Sequence, residues 1–129
     1  MNFCDSKMSA ALRARIRDLA SGPEGGCGCV MDFDPGFTGF EGHFAGNPIV
    51  PGVCLIEAAR VIAEEVCRRN LRTVKIGQCR FRRPIRAGEK ADVTLKIVRL
   101  PESGRRQVQA DFQVEGANSA QMRLEAEEV

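Results

Sequence analysis

His43 and Glu57, which stand 14 positions apart, are residue types that suit acid–base chemistry. His43 is the only histidine of the chain, and because histidine titrates near neutral pH it is the natural base. Glu57 is the only charged residue between Phe44 and Ala59. A carboxyl group in such an apolar stretch loses hydration, which predicts a raised pKa and a proton donor near neutral pH.

The segment after His43 adds a possible electrophilic group. Gly52 directly precedes the apolar run 53–63, so a helix that starts there leaves its first N–H groups unpaired. Such groups, together with the helix dipole, can polarise a carbonyl oxygen. Cys54, in the first turn, is interpreted as a core residue rather than an activated thiolate, because its neighbours are apolar.

Each of these residues also has a purely structural interpretation. Glu57 can pair with Arg60 three positions later, and His43 can be a hydrogen-bonded loop residue. Gly52 can be a plain helix start after Pro51. Residue type and spacing leave both interpretations open.

The six cysteines favour structural roles. Asp5 and Lys7 interrupt any apolar run near the first residue, so no signal peptide is recognised and a cytoplasmic location with reduced thiols is expected. Cys27 and Cys29 form a C-x-C pair, but no second pair stands at ligand spacing. We therefore predict no metal site.

Charge is distributed unevenly although its net value is only +2. Residues 68–106, here called the basic block, carry 13 Lys or Arg against 3 Asp or Glu, whereas residues 1–67 carry 5 against 9 and residues 107–129 carry 1 against 5. The block forms either ion pairs with these acidic flanks or a docking surface for an acidic partner. The lack of Trp and Tyr argues against a nucleic-acid binder.

Periodicity places these residues on secondary structure. Apolar residues at helical spacing predict a helix over 7–20, which the Gly-rich segment 21–26 ends. A strand follows over 27–33, then a loop over 34–50. The run 53–63 predicts a second helix, buried on every side at its start and ending near Cys67.

Alternating apolar residues predict four further strands, the first with a bulge at Gly77. They centre on residues 74–81, 93–97, 108–114 and 120–126. One helix against an antiparallel sheet indicates an α+β fold. A single domain over 1–129 is expected, with an N-terminal helix and linker over 1–26 and the core over 27–129.

Two segments carry a resemblance to a known family. Residues 42–53, Gly-His-Phe-Ala-Gly-Asn-Pro-Ile-Val-Pro-Gly-Val, followed by Glu57-Ala58, resemble the G-H-F-P-G-x-P-x-x-P-G pattern and later acidic residue of the 3-hydroxyacyl-(acyl carrier protein) dehydratases. Residues 79–85, Cys-Arg-Phe-Arg-Arg-Pro-Ile, with Gly88-Glu89, are similar to a strand and turn of that family. The resemblance spans about residues 30–127.

The resemblance implies a hotdog fold, in which a curved antiparallel sheet wraps a long central helix. It implies a homodimer or a trimer of dimers, with His43 of one subunit facing Glu57 of the other. The implied reaction is loss of water from a 3-hydroxyacyl thioester to give the trans-2-enoyl thioester, in fatty acid or related polyene or polyketide-type synthesis. His43 would take the C2 proton, Glu57 would protonate the departing hydroxyl and the Gly52 N–H would bind the thioester carbonyl.

The implied substrate arrives on the phosphopantetheine of acyl carrier protein, with no cofactor. Its acyl chain would enter an apolar tunnel lined by Phe44, Val53, Ile56 and Phe81. Docking of the acidic carrier protein would fall to four residues of the basic block: Arg80, Arg82, Arg83 and Arg86. Alternation along the strand predicts Arg80 and Arg82 on the face opposite Phe81.

The chain departs from the family pattern at three places. Ala45 replaces the proline of the loop, Val61 stands where a glutamine is usual, and the predicted 7–20 helix replaces the usual N-terminal segment. Two alternative functions therefore remain: an acyl thioesterase, in which Glu57 or another carboxylate activates water, and a non-catalytic acyl-binding partner subunit.

Overall fold

The computed structural model describes residues 6–22, 25–40, 46 and 48–129. Two α-helices, six strands and a short 3-10 turn at Thr38–Phe40 form the described part of the chain. In chain order they are α1 (Lys7–Arg13), β1 (Ile16–Ser21), β2 (Gly26–Asp32), α2 (Gly52–Cys67), β3 (Leu71–Phe81), β4 (Lys90–Arg99), β5 (Arg106–Val114) and β6 (Ala117–Glu128).

The six strands form one antiparallel sheet in the order β1-β2-β4-β5-β6-β3. Alternate residues of β2, β4, β5 and β6 are buried, as expected when one face of a sheet covers a core and the other faces water. The long helix α2 lies against that buried face and shares its hydrophobic core. The predicted α+β hotdog architecture is confirmed.

The sequence of α2 explains both its bounds and its packing. Pro51 is the N-cap, and Arg68 ends the helix in the left-handed conformation. Ala58, Ala59 and Ala63 are fully buried, and their small side chains let the helix approach the sheet closely. Neither helix of the described chain has the length and apolarity that crossing a bilayer requires.

The first turn of α2 corrects one prediction. We expected it to be buried on every side, but the Val53 side chain is 71% exposed. Leu55 faces the core, whereas Val53 and Ile56 face a groove between α2 and β3. The apolar run thus contributes side chains both to the core and to an open groove. The apolar pattern of the sequence alone does not distinguish these two environments.

The N-terminal region corrects another prediction, because the expected helix over 7–20 ends at Arg13. Ile16–Ser21 instead forms β1, which pairs with β2 at one edge of the sheet. The apolar spacing fits a helix, but the free edge of β2 offers backbone hydrogen bonds that override it. The predicted helix start is correct, since Ser6 caps α1 through a bond from the Ser9 N–H to the Ser6 Oγ of 3.0 Å.

The four strands after α2 are confirmed, including the irregularity at Gly77. The pairing register of β3 with β6 shifts between Ile76 and Cys79. Because β3 lies at the sheet edge, Ile76 and Phe81 remain 54% and 50% exposed. The edge of β3 thus presents an apolar surface next to the start of α2.

Candidate active site

A chain of buried ion pairs connects α1, α2 and β3. Arg60, only 4% exposed, binds both carboxylate oxygens of Glu57, with Nε–Oε1 at 2.7 Å and Nη2–Oε2 at 2.8 Å. Arg60 Nη1 also lies 3.0 Å from Glu64 Oε2 and donates to the Leu71 carbonyl at 3.0 Å. Glu64, in turn, accepts bonds from Arg13 and from the Leu71 N–H. The predicted pairing of Glu57 with Arg60 is confirmed.

The expected pKa of Glu57 is wrong in direction. Burial alone raises the pKa of this carboxyl, but the hydrogen bonds and charge of Arg60, with a further bond from Ser9, hold the pKa below its ordinary value. The apolar neighbours of Glu57 in the sequence suggested a raised pKa. They do not show the two compensating groups, which are the Arg60 cation on the same helix and the Ser9 hydroxyl on α1. Glu57 is therefore a carboxylate at neutral pH in this structure.

Ser9 is a site residue that sequence reasoning did not find. It is fully buried in α1, and its Oγ donates to Glu57 Oε2 at 3.1 Å and accepts from Arg60 Nη2 at 2.8 Å. The contact joins residues 48 positions apart, and nothing in the local pattern of α1 indicates it. The only related signal is Val61, where the family usually has a glutamine that can bind the acid.

The Glu57 carboxylate lies on the rim of an apolar groove of about 590 Å³. Two of the predicted tunnel residues, Val53 and Ile56, line the groove together with it. The other lining residues are Met8 of α1, Cys54 of α2, and Thr73, Val74, Lys75 and Ile76 of β3. A groove of this size and lining suits an aliphatic chain with one polar end at Glu57.

Gly52 and Phe81 lie together in an adjacent groove of about 440 Å³. A β-carbon at Gly52 would lie 3.0 Å from Cζ of the Phe81 ring, so a side chain at this position would require the ring to shift. Pro51 provides no side-chain cap, and its carbonyl accepts from the N–H groups of Cys54 and Leu55. The Gly52 N–H precedes these, as the proposed carbonyl contact requires. Phe81 is thus beside the helix start rather than in the groove of Val53.

His43, Phe44 and Ala45 lie outside the described residues. The roles assigned to His43 and Phe44 therefore stay predictions from the sequence motif. The nearest described positions on either side are Phe40 and Gly46.

Five of the 13 basic residues of the basic block pair with the acidic C-terminal flank. Ion pairs join Arg69, Arg72, Lys75, Arg105 and Arg106 of the block to glutamates of β6. The interpretation as ion pairs is therefore correct for these five residues. The four proposed docking arginines are among the remaining eight basic residues of the block.

The four proposed docking arginines do not share one face. Arg80 lies in a polar groove on the outer face of the sheet, as alternation predicts. Arg82 does not follow that alternation, because β3 ends at Phe81, and it lines the Phe81 groove with Arg83. Arg83 lies 3.6 Å from Glu89, while Arg80, Arg82 and Arg86 form no ion pair with any described residue.

The cysteines of the described chain are free thiols. Burial and the nearby Glu57 charge raise the pKa of Cys54, and burial raises the pKa of Cys29 to about 12. Cys54 is therefore no activated thiolate, as its apolar neighbours suggested. Within the described ranges, no cluster of His, Cys, Asp and Glu side chains could hold a metal ion.

The sheet, the central helix and the groove at its start define a hotdog protein. A family model called ApeI-like and described as ApeI dehydratase matches residues 23–123. The chain belongs to this ApeI-like family of FabZ-like hotdog dehydratases.

Curated relatives named as dehydratases agree with this assignment. The 3-hydroxyacyl-(acyl-carrier-protein) dehydratase FabZ of Caulobacter vibrioides is 30% identical over 60% of this chain and 53% of its own length. That of Campylobacter hominis is 34% identical over 46% of this chain and 48% of its own. The chain thus spans about half the length of the curated relatives it matches.

Among solved structures, the dehydratase heterocomplex ApeI:P of Xenorhabdus doucetiae superposes with a TM-score of 0.70 at 16% identity, covering 86% of this chain and 95% of that one. The Escherichia coli PaaI protein of the phenylacetic acid degradation operon gives a TM-score of 0.63 at 18% identity, covering 93% and 88%. At these identities the likeness establishes the fold.

Proposed function

We propose that the chain is a cytoplasmic hydro-lyase that dehydrates a 3-hydroxyacyl thioester on acyl carrier protein to the trans-2-enoyl thioester. The observation that carries the proposal is the Glu57 carboxylate at the rim of an apolar groove, 14 positions after His43 and one turn beyond the Gly52 helix start. The family membership of the chain supports the same reaction class.

The proposed chemistry assigns one task to each of three groups. His43 takes the C2 proton, which becomes acidic when the thioester carbonyl binds a hydrogen-bond donor. The N–H at Gly52 is that donor, and the Phe81 ring lines the same groove as Gly52. Glu57 contacts the 3-hydroxyl, and the acyl chain follows the groove past Val53 and Ile56.

An ionised Glu57 also favours a second candidate, an acyl thioesterase. A carboxylate can orient and deprotonate water for attack on a thioester carbonyl. This reaction releases a free thiol, whereas dehydration leaves the thioester intact.

The deciding experiment offers the purified protein 3-hydroxyacyl thioesters of several chain lengths on acyl carrier protein. Enoyl formation is followed by absorbance and mass spectrometry, and thiol release is followed in the same sample. Enoyl product without thiol supports the dehydratase, and thiol without enoyl product establishes the thioesterase. If the folded protein forms neither product, the dehydratase and the thioesterase are both contradicted. The remaining alternative is then the non-catalytic acyl-binding partner subunit.

We further propose that two copies pair along β3. This strand has 11 residues and, among the strands that the structure describes, only β6 as a neighbour, so its outer edge carries unpaired backbone groups that a second copy can bind. The exposed side chains of Val53 and Ile76 lie on the same side of the molecule, along the groove. Pairing here would cover the apolar surface and bring His43 of one copy towards Glu57 of the other.

Ile76→Lys is expected to convert the dimer into a monomer, because it places a charge in the apolar contact. Light scattering coupled to size exclusion measures the mass of each species. Val98→Lys is a matched control, since Val98 is an exposed apolar residue of β4 away from the groove. A dimer that persists in Ile76→Lys, or an equal loss in Val98→Lys, contradicts pairing along β3.

A further inference from the structure

Three hydrogen bonds converge on the Glu57 carboxylate, and the assigned reaction uses none of the donors. Oε1 accepts from Arg60 Nε, while Oε2 accepts from both Arg60 Nη2 and Ser9 Oγ. Arg60 is 4% exposed and Ser9 is fully buried, so packing fixes both donors. On Oε2 a proton would have to displace one of these bonds, whereas Oε1 keeps one lone pair that can accept a bond from a substrate hydroxyl.

The hydroxyl of Ser9 has a consistent direction within this network. It accepts from Arg60 Nη2 at 2.8 Å and lies 2.8 Å from the Ser6 Oγ. Ser6, the N-cap of α1, already accepts from the Ser9 N–H, so its own proton can go to Ser9 Oγ. The single proton of Ser9 is then free to point at Glu57.

We infer that Ser9 and Arg60 are positioning residues that keep Glu57 as a hydrogen-bond acceptor, so that it orients the substrate's 3-hydroxyl instead of giving it a proton. The inference rests on the proposed dehydratase function. It assigns to the N-terminal helix a part in the reaction.

The protons balance with His43 as the only group that exchanges one. Its imidazole takes the C2 proton, and the electron pair of that C–H bond forms the C2=C3 bond as the C3–O bond breaks. The hydroxide leaves with the proton of the imidazolium, which gives water and regenerates neutral imidazole. Glu57 accepts a hydrogen bond from the hydroxyl before the bond breaks and from water afterwards.

The surroundings of Glu57 favour its charge. Arg72 and Lys75 of β3 line the cavities that Glu57 also lines, and α1 adds only the neutral Ser9 and Met8. On α2 the neighbours are Arg60 and the Cys54 thiol, whose own pKa is raised. Arg60 also pairs with Glu64, which Arg13 of α1 and the Leu71 N–H hold in turn.

The ionisation of Glu57 can be measured without any turnover. Carbon-13 NMR of labelled glutamate carboxyls, with Glu57→Gln to assign the signal, gives its titration directly. We expect a pKa below the ordinary 4.5, rising by about one unit in Ser9→Ala, which loses one charged hydrogen bond. Ser9→Thr keeps the hydroxyl and should restore the wild-type value. A wild-type Glu57 that titrates above 4.5 overturns the inference.

Kinetics test the positioning role separately. We expect kcat/KM to rise with pH through the His43 titration to an alkaline plateau, and kcat to fall roughly tenfold in Ser9→Ala with little change in KM. Ser9→Thr should recover most of the lost kcat. Arg60→Lys keeps the positive charge but not the two parallel hydrogen bonds of the guanidinium, so its kcat should resemble that of Ser9→Ala.

A descending alkaline limb that Glu57→Gln removes would overturn the inference, as would full activity in Ser9→Ala. Absence of enoyl product from the wild-type protein contradicts the proposed function instead. The NMR titration then still decides whether Ser9 and Arg60 keep Glu57 ionised.

Discussion

Arg60→Met is expected to lower the free energy of unfolding by about 3–5 kcal/mol, because the partly buried Glu57 loses its cation and the buried Glu64 keeps only its pair with Arg13. Arg60 is 4% exposed and lies between Glu57 and Glu64. Methionine fills a similar volume, so the loss reports the charge rather than a cavity. Urea unfolding at neutral pH, followed by circular dichroism, measures it.

Arg13→Met is the matched control for this experiment. Arg13 also binds Glu64, at 2.9 Å, but its side chain is 35% exposed, and exposed pairs contribute about 0–1 kcal/mol. We expect it to remain within about 1 kcal/mol of wild type. Equal losses in the two variants would mean that burial of Arg60 does not matter.

The Arg60→Met deficit should shrink in acid. The Glu57 pKa is lower in the folded chain than its ordinary value of 4.5, so its ionisation stabilises the fold above that pH and the contribution disappears as the pH falls through the folded pKa. The variant has no such contribution to lose. Its stability should therefore approach that of the wild type below about pH 4.5.

His43→Ala is expected to reduce enoyl formation by at least about 100-fold, since that is the usual contribution of one acid–base group. In the proposed reaction His43 both takes the C2 proton and delivers it to the hydroxyl, so no other side chain replaces it. The change should leave unfolding and assembly as in wild type, and added imidazole should restore part of the rate.

Lys96→Ala serves as the control for handling and folding, because Lys96 is an exposed residue of β4. It should keep wild-type turnover. If His43→Ala retained a third or more of the wild-type rate, the general-base role of His43 would be wrong. A carboxylate would then be the candidate for the group that takes the C2 proton.

The elements with long, regular patterns were predictable. The apolar run of α2 and the alternation in β3 to β6 gave the correct type, order and approximate bounds, including the bulge at Gly77. Predictions from local patterns were wrong where contact with another element determined the secondary structure. The apolar spacing of Ile16–Ser21 predicts a helix, but the segment forms a strand because it pairs with the free edge of β2.

The sequence yields candidate residues for the site, which stay predictions, but it does not yield the electrostatics of Glu57. The spacing of His43 and Glu57 indicated acid–base chemistry, and Arg60 was recognised as a possible partner three positions away. The ionisation of Glu57 was not predictable, because it depends on Ser9 in another helix and on the burial of Arg60. These effects on the Glu57 pKa depend on distances between residues far apart in the chain, and a single sequence does not contain those distances.

The helix α1 precedes the stretch 23–123 that the family model matches. It nevertheless contributes the hydroxyl on Glu57 and the guanidinium of Arg13 on Glu64. Two relatives can therefore agree at every position of the matched stretch and still hold this acid in different charge states. The seven residues of α1 pack mainly on α2, so they can change without altering any strand register, and substitutions in α1 can alter the charge state of Glu57 while the matched stretch stays the same.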